Sequence, residues 1–157
     1  MAVNNEITRE GFENLQAELE ELKSVKLKEN SESIKEALSY GDLSENAEYS
    51  AAKEEQGRIQ SRIEQLEELI RTVKVVDESS YNVDTVQTGV RVTIKDLDMN
   101  EVFTYKIVGS AESDPLQGKL SNASLVGQHL MGLKPGEKVE FSVPDGIARY
   151  EVLEVTR

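Results

Sequence analysis

The sequence contains no cysteine and no tryptophan, and only one histidine and three prolines among 157 residues. Without thiols, disulfide frameworks and thiolate metal sites are excluded. With His129 alone, a zinc site would have to be built almost wholly from carboxylates, against that ion's preference for nitrogen and sulfur ligands. No stretch approaches the ~20 apolar residues that span a bilayer, and the N-terminus has no basic segment leading into an apolar run. The expectation is a cytoplasmic protein with no membrane partner. Positive charge is also scarce: 18 Lys and Arg stand against 30 Asp and Glu, a net charge of −12. Residues 1–78 carry 10 basic against 19 acidic side chains, and residues 79–157 carry 8 against 11. Attraction to a phosphate backbone needs the opposite sign, so useful affinity for nucleic acid alone is not expected. A chain of this charge would act on nucleic acid only where another protein holds it.

What is present is periodicity. Phe12, Leu15, Leu19 and Leu22 follow the three- and four-residue spacing of a heptad seam, opening after Thr8 as N-cap with Glu10 in the first turn. The seam blurs at Lys26 and Glu29 and returns at Ile34, Ala37 and Leu38. The polar run Lys28-Glu29-Asn30-Ser31 reads equally as a helix break or as a solvated stretch. A second helix is more regular: Ala52, Gln56, Ile59, Ile63, Leu66, Ile70 and Val73 keep heptad spacing, with Gln56 as a polar, register-fixing intruder. Gly41 stops the first helix, and the short link makes the two antiparallel neighbours. From Phe12 to Leu38 such an arm runs roughly 40 Å at 1.5 Å per residue.

Beyond residue 78 the period changes to two. Val90 to Ile94, Val102 to Val108, Val139 to Val143, and Tyr150, Val152 and Val155 read as strands. Turns fall at Asp98-Met99-Asn100, Pro135-Gly136 and Pro144-Asp145-Gly146, and a short helix is predicted from Ser124 to Met131. The expected fold is α+β: a coiled-coil hairpin over residues 1–78, then a small antiparallel sheet domain with one helix over 79–157.

The segment between the helices, Gly41-Asp42-Leu43-Ser44-Glu45-Asn46-Ala47-Glu48-Tyr49, puts two carboxylates three positions apart at the far end of the arm. Oxygen donors with negative charge suit Mg²⁺, but two carboxylates fall short of the six ligands it takes, so the pair would complete a site shared with another molecule. The same residues also read as a capping box, with Asp42 as N-cap and Glu45 reaching back. Glu48 reads as a solvated helix acid and His129 as a helix-surface residue.

The nine-residue tip, followed by Ala51-Ala52-Lys53, resembles the signature of the Gre family of bacterial transcript-cleavage factors, its GreA branch more than its basic GreB branch. The similarity extends through Ile7-Thr8-Arg9-Glu10-Gly11-Phe12, Gln56, Arg62-Ile63-Glu64, Gly132-Leu133-Lys134-Pro135-Gly136 and Pro144-Asp145-Gly146. The resemblance implies a coiled coil that enters the secondary channel of bacterial RNA polymerase and stimulates the polymerase's own cleavage of backtracked RNA. The chain would then be a cofactor of that reaction, not itself an enzyme. It implies that Asp42 and Glu45 help hold a Mg²⁺ shared with the polymerase, with none tightly bound to the free protein. It implies that Asn46 and Tyr49 orient the acids or contact RNA and that Lys53 contacts the nascent RNA 3′ end. By themselves Asn46 and Tyr49 read equally as tip packing and helix capping, and Lys53 as an exposed helix cation. Ser121, Ser124 and Leu125 fall in the loop through which the second domain, FKBP-like by resemblance, docks on the polymerase. A monomer is expected.

Two positions depart from the family pattern. Leu38 stands where arginine is usual, which leaves Lys53 and Lys35 as the basic groups near the tip. Ser121-Asn122-Ala123-Ser124-Leu125 stands where Ser-x-x-Ser-Pro is typical. Two other readings stay open: a channel-binding regulator of the same fold without cleavage activity, and a coiled-coil adaptor of another class.

Overall fold

The computed structural model describes residues 5–41, 46–77, 79 and 83–157. They form two compact units, Glu13–Thr72 and Met1–Phe12 together with Val73–Arg157. The boundary read from the sequence, after residue 78, lies inside the second unit. The reason is a pair of short strands absent from the sequence reading: β1 (Glu6–Thr8) and β2 (Lys74–Val76) pair in parallel, with Ile7 opposite Val75. Ile7 and Val76 are buried, so both ends of the helical segment are anchored in the unit that also holds the C-terminal strands.

The helical unit is built from α1 (Arg9–Glu21), a π-helical turn (Leu22–Lys26), α2 (Leu27–Leu38) and α3 (Ala47–Thr72). Thr8 caps α1, its Oγ1 accepting the Gly11 N–H at 3.1 Å. The π turn accounts for the blurred seam. A π turn holds one residue more than an α turn, and here the Leu27 N–H reaches back to the Leu22 carbonyl. The seam therefore passes from Leu22 to Leu27, both half-buried, instead of Lys26, and the three-four spacing resumes through Asn30, Ile34 and Ala37. Lys26 and Glu29 are exposed, whereas Asn30 is 6% exposed. The run Lys28–Ser31 is neither a break nor wholly solvated. From α3, Ala52, Ile59, Ile63 and Leu66 are buried as the heptads predict. Glu18 and Arg62 close the seam with a two-pronged ion pair at 2.7 and 2.9 Å. That hydrogen bond holds the Glu18 carboxyl below its usual range.

The second unit is a five-stranded sheet in the order β5-β4-β3-β7-β6. Its strands are β3 (Arg91–Asp96), β4 (Glu101–Val108), β5 (Lys119–Ser121), β6 (Lys138–Val143) and β7 (Gly146–Thr156). Three of its four pairings are antiparallel, as expected, but β5 joins β4 in parallel, Lys106 opposite Lys119. The chain between them crosses over through two 3₁₀ turns, Ser110–Glu112 and Pro115–Gln117, instead of closing a hairpin, so the sheet is mixed. A bulge explains an odd spacing in β7: Thr93 pairs with Glu154 and Ile94 with Val152, skipping Leu153. Val152 and Val155, three apart, thereby both face the core with Val92, Ile94 and Ile107. The short helix α4 (Leu125–Leu130) closes that core with Leu130.

Beneath β1 lies a buried polar cluster. The Glu112 carboxylate accepts the Thr8 N–H at 3.1 Å, the Gly109 N–H at 3.0 Å and the Thr8 hydroxyl. Asn122, fully buried, donates to Thr88 Oγ1 at 3.0 Å and to the Glu6 carbonyl at 3.5 Å. Gly11 leaves room for this carboxylate: a Cβ on it would sit 2.0 Å from the Glu112 side chain and would push it aside.

Candidate functional site

The distal end of the arm is shaped by α2 running out and α3 starting. Helix α2 ends with Ser39 as C-cap, and Gly41 turns the chain at φ 97°, a backbone angle that suits glycine. Asp42, Leu43, Ser44 and Glu45 lie outside the described residues, and with them the two carboxylates singled out by the sequence. The residue that follows them settles a different matter. Asn46 is the N-cap of α3: its Oδ1 accepts the Tyr49 N–H at 3.1 Å, and its carbonyl accepts the Ser50 N–H at 3.1 Å. The capping-box reading gave that role to Asp42, but α3 begins at Ala47, and its cap position is filled by Asn46. Asn46 also reaches the other helix, its Nδ2 donating to the Ala37 carbonyl at 2.6 Å.

Around this cap the remaining tip residues are more open. Tyr49 is half-buried, while Glu48 and Lys53 are exposed, and Lys53 Nζ donates to Gln56 Oε1 at 2.8 Å. Lys35 is exposed on α2. Leu38, 46% exposed, lines a shallow surface groove of about 370 Å³ with Ile34, Lys28 and Lys35. The local field is negative. The Tyr40 hydroxyl is held above its usual range first by its hydrogen bond to Glu36, then by the charges of Glu36 and Glu48. Among the described residues no group of three or more His, Cys, Asp or Glu side chains is placed to hold a metal ion.

The C-terminal loop is organised mostly inward. Ser121 is buried, its Oγ accepting the Ala123 N–H at 3.0 Å, and its carbonyl accepts the Ser124 hydroxyl at 2.7 Å. Ser124 in turn caps α4 through the Gly127 N–H at 3.1 Å. Leu125 is 45% exposed at the start of α4. His129 is half-buried, not a free surface residue: its ring stacks on Phe141 at 4.2 Å, and Nδ1 meets the Leu125 carbonyl at 2.8 Å. Two residues of interest went unread in the sequence. In the sequence Asn30 reads as part of a polar run, although its heptad position marks it once the one-residue shift at the π turn is allowed. Tyr40 carries no sequence signal beyond standing next to the tip.

Comparison with known proteins completes the picture. The model for the N-terminal domain of transcription elongation factors matches residues 5–75, and the GreA/GreB C-terminal domain model matches residues 78–157. The chain belongs to the GreA/GreB family of transcription elongation factors. It is 51% identical over 149 residues to the transcription elongation factor GreA of Clostridium novyi, covering 95% of this chain and 94% of that one. To its counterpart in Clostridioides difficile it is 50% identical over 151 residues, covering 96% and 95%. Among solved structures, the GreA factor homolog Gfh1 of Thermus thermophilus aligns at 28% identity with a TM-score of 0.43, covering 97% of this chain and 98% of that chain. As a GreA/GreB family member the chain is a transcription elongation factor, and among its described residues no helix is long and apolar enough to cross a membrane.

Proposed function

We propose that this factor binds bacterial RNA polymerase, extends its helical arm into the secondary channel and stimulates cleavage of backtracked nascent RNA. The polymerase holds the RNA and performs the hydrolysis, and the factor lends carboxylates from the tip. The observation that carries this reading is the Asn46 cap. With α3 capped by Asn46, Asp42 and Glu45 are released from that structural duty. They occupy a four-residue stretch bounded by Gly41 and Asn46, at the end of the arm remote from both chain termini in sequence.

The donor set suits Mg²⁺ better than any softer ion, since both groups are carboxylates and neither cysteine nor a second histidine exists. Such an ion, when shared with the polymerase, supplies charge stabilisation to the attacking and leaving oxygens of phosphodiester hydrolysis. The chain's own contribution is to present two negative side chains, with Asn46 and Tyr49 holding the start of α3 and Lys53 offering a positive charge to RNA. The acidic surface poses no obstacle, because the factor never has to find RNA unaided. Docking falls to the loop at residues 121–125. Ser121 and Ser124 shape it by their internal hydrogen bonds, and Leu125 is the side chain free to make contact.

The test is Asp42→Asn in stalled, backtracked complexes supplied with Mg²⁺. Charge is lost while size is kept, and the Asn46 cap is untouched. Release of 3′ RNA fragments should fall by orders of magnitude, while the variant still competes with the parent for polymerase. Parental cleavage by Asp42→Asn would remove the carboxylate assignment. Absence of cleavage by the parent itself would favour the regulator that occupies the channel without chemistry.

A further inference from the structure

The tip end of the arm contains two side-chain amides that cross between the helices in opposite directions. Asn30 on α2 donates from Nδ2 to the carbonyl of Ala52 on α3 at 2.9 Å, and Asn46 at the start of α3 donates from Nδ2 to the carbonyl of Ala37 on α2 at 2.6 Å. Both acceptors belong to alanines at buried seam positions, Ala37 at 2% and Ala52 at 9% exposure. Small side chains there let each amide reach the opposite backbone. Asn30 is buried to 6% exposure, and its Oδ1 has no hydrogen-bond partner among the described residues. A leucine would fill that position without leaving an acceptor unsatisfied, so asparagine at this site is retained at a cost in stability. Buried seam amides of this kind specify register: an apolar seam tolerates a slide along the axis, whereas a donor aimed at one carbonyl does not.

We propose that Asn30 and Asn46 form a reciprocal amide brace that fixes the register of α2 against α3, and that both are positioning residues for the tip carboxylates. The two donors bracket the tip: one bond lies in the first turn after the π turn, the other joins the last turn of α2 to the cap of α3. Both bonds are made together in the observed register, which sets Asn30 against Ala52 and Asn46 against Ala37. A slide of one turn would displace one helix by about 5.4 Å, enough to remove a carboxylate from any metal ligand sphere. The positioning role rests on the cleavage function proposed above, whereas the brace itself rests only on the geometry of the arm.

The experiment separates the two. Because the chain has no native cysteine, Ser33→Cys and Ser50→Cys, exposed on α2 and α3, accept nitroxide labels for distance measurement in the full-length protein. The otherwise unaltered labelled chain should give one narrow distance. Adding Asn30→Leu and Asn46→Ser, the latter keeping a capping hydroxyl but too short to reach Ala37, should broaden it or add a second population. In unlabelled protein the same pair should lower the maximal cleavage rate at saturating factor at least tenfold, with half-saturating concentration changed less than threefold. An unchanged narrow distance would overturn the brace whatever the activity. A broadened distance with parental maximal cleavage would overturn the positioning role. A raised half-saturating concentration with an unchanged maximal rate would assign the amides to binding and likewise overturn it. Failure of the parent to support cleavage would defeat the functional reading, and the positioning role with it, while the distance data would still decide the brace.

Discussion

Deleting Ser24 should leave the arm intact, whereas deleting Glu32, eight positions further along the same helix, should disrupt it. The seam row runs Leu15, Leu19, Leu22, then Leu27, Asn30, Ile34 and Ala37, all buried or half-buried, with one surplus residue taken up by the π turn at Leu22–Lys26. Removing Ser24 brings Leu22 and Leu27 to a spacing of four and allows an unbroken α-helix with every seam position kept. The losses are small: no residue of the turn is buried, the Ser24 hydroxyl only bonds the Glu20 carbonyl, and the nearby Lys23–Glu67 pair is half exposed on both sides. The expected change is within about 0.5 kcal/mol. Removing Glu32 rotates Ile34 and Ala37 by about 100° off the seam. Exposing Ile34 alone forfeits up to about 2 kcal/mol, and with Ala37 the loss reaches about 3 kcal/mol. For a unit of this size about 1 kcal/mol moves the melting point by about 4–8 °C, so the Glu32 deletion should melt at least about 10 °C lower. Far-ultraviolet circular dichroism during heating follows the helices directly. Equal destabilisation by the two deletions would refute the claim that the π turn stores one residue of phase.

Other outcomes follow from contacts described above. Gly127→Ala should lower thermal stability by about 1–3 kcal/mol, since the new Cβ would stand 2.0 Å from the Ser121 carbonyl oxygen; unchanged melting would contradict the tight closure of that loop. The Glu18–Arg62 pair should add a small acid sensitivity. The folded carboxyl lies below its ordinary value of 4.5, so its contribution is present above that pH and disappears as pH falls through the lower folded value. With both side chains more than a third exposed it amounts to less than about 1 kcal/mol, and Glu18→Gln should flatten the stability profile on the acid side of 4.5. Residues 79–157 alone lack β1 and β2, leaving Glu112 without Thr8 and Asn122 without Glu6. That fragment should unfold more readily than a chain in which a flexible linker of about ten residues replaces 13–72, as denaturant titration of the two would show.

The regular parts of the fold were legible because their periods are strict. The α3 seam and strands β3, β4 and β6 could be read from spacing alone, and Ser124 was placed correctly as the start of α4. The features that escaped are those in which a local rule is broken by exactly one residue or served by a distant partner. The π turn shifts phase by one, so Leu27 and Asn30 fell off the expected row. The bulge opposite Thr93 places two valines three apart on one face. β1, β2 and β5 have three residues each, too short for alternation to register, and they exist because buried partners hold them. At the tip, composition alone left Asp42 with two roles, capping or metal binding. The position at which α3 begins assigns its cap to Asn46, and the metal-binding role of Asp42 is a matter for the cleavage assay.

The pairing of β1 with β2 makes residues 13–72 an insertion within another unit, and this sets an order on the ribosome. Among the described residues the pairing of α2 with α3 lies within the hairpin's own 60 residues, so it can form while the rest is still being made. The sheet cannot. Its last strand to emerge, β7, is an interior one, flanked by β3 and β6, and β1 meets Glu112 and Asn122 only after more than a hundred further residues have been added. Until Thr156 leaves the exit tunnel, β3 lacks one of its two neighbours and presents an unpaired edge. A nascent chain of this protein therefore carries a finished hairpin and an unfinished sheet, and it is the sheet that needs protection from aggregation during synthesis.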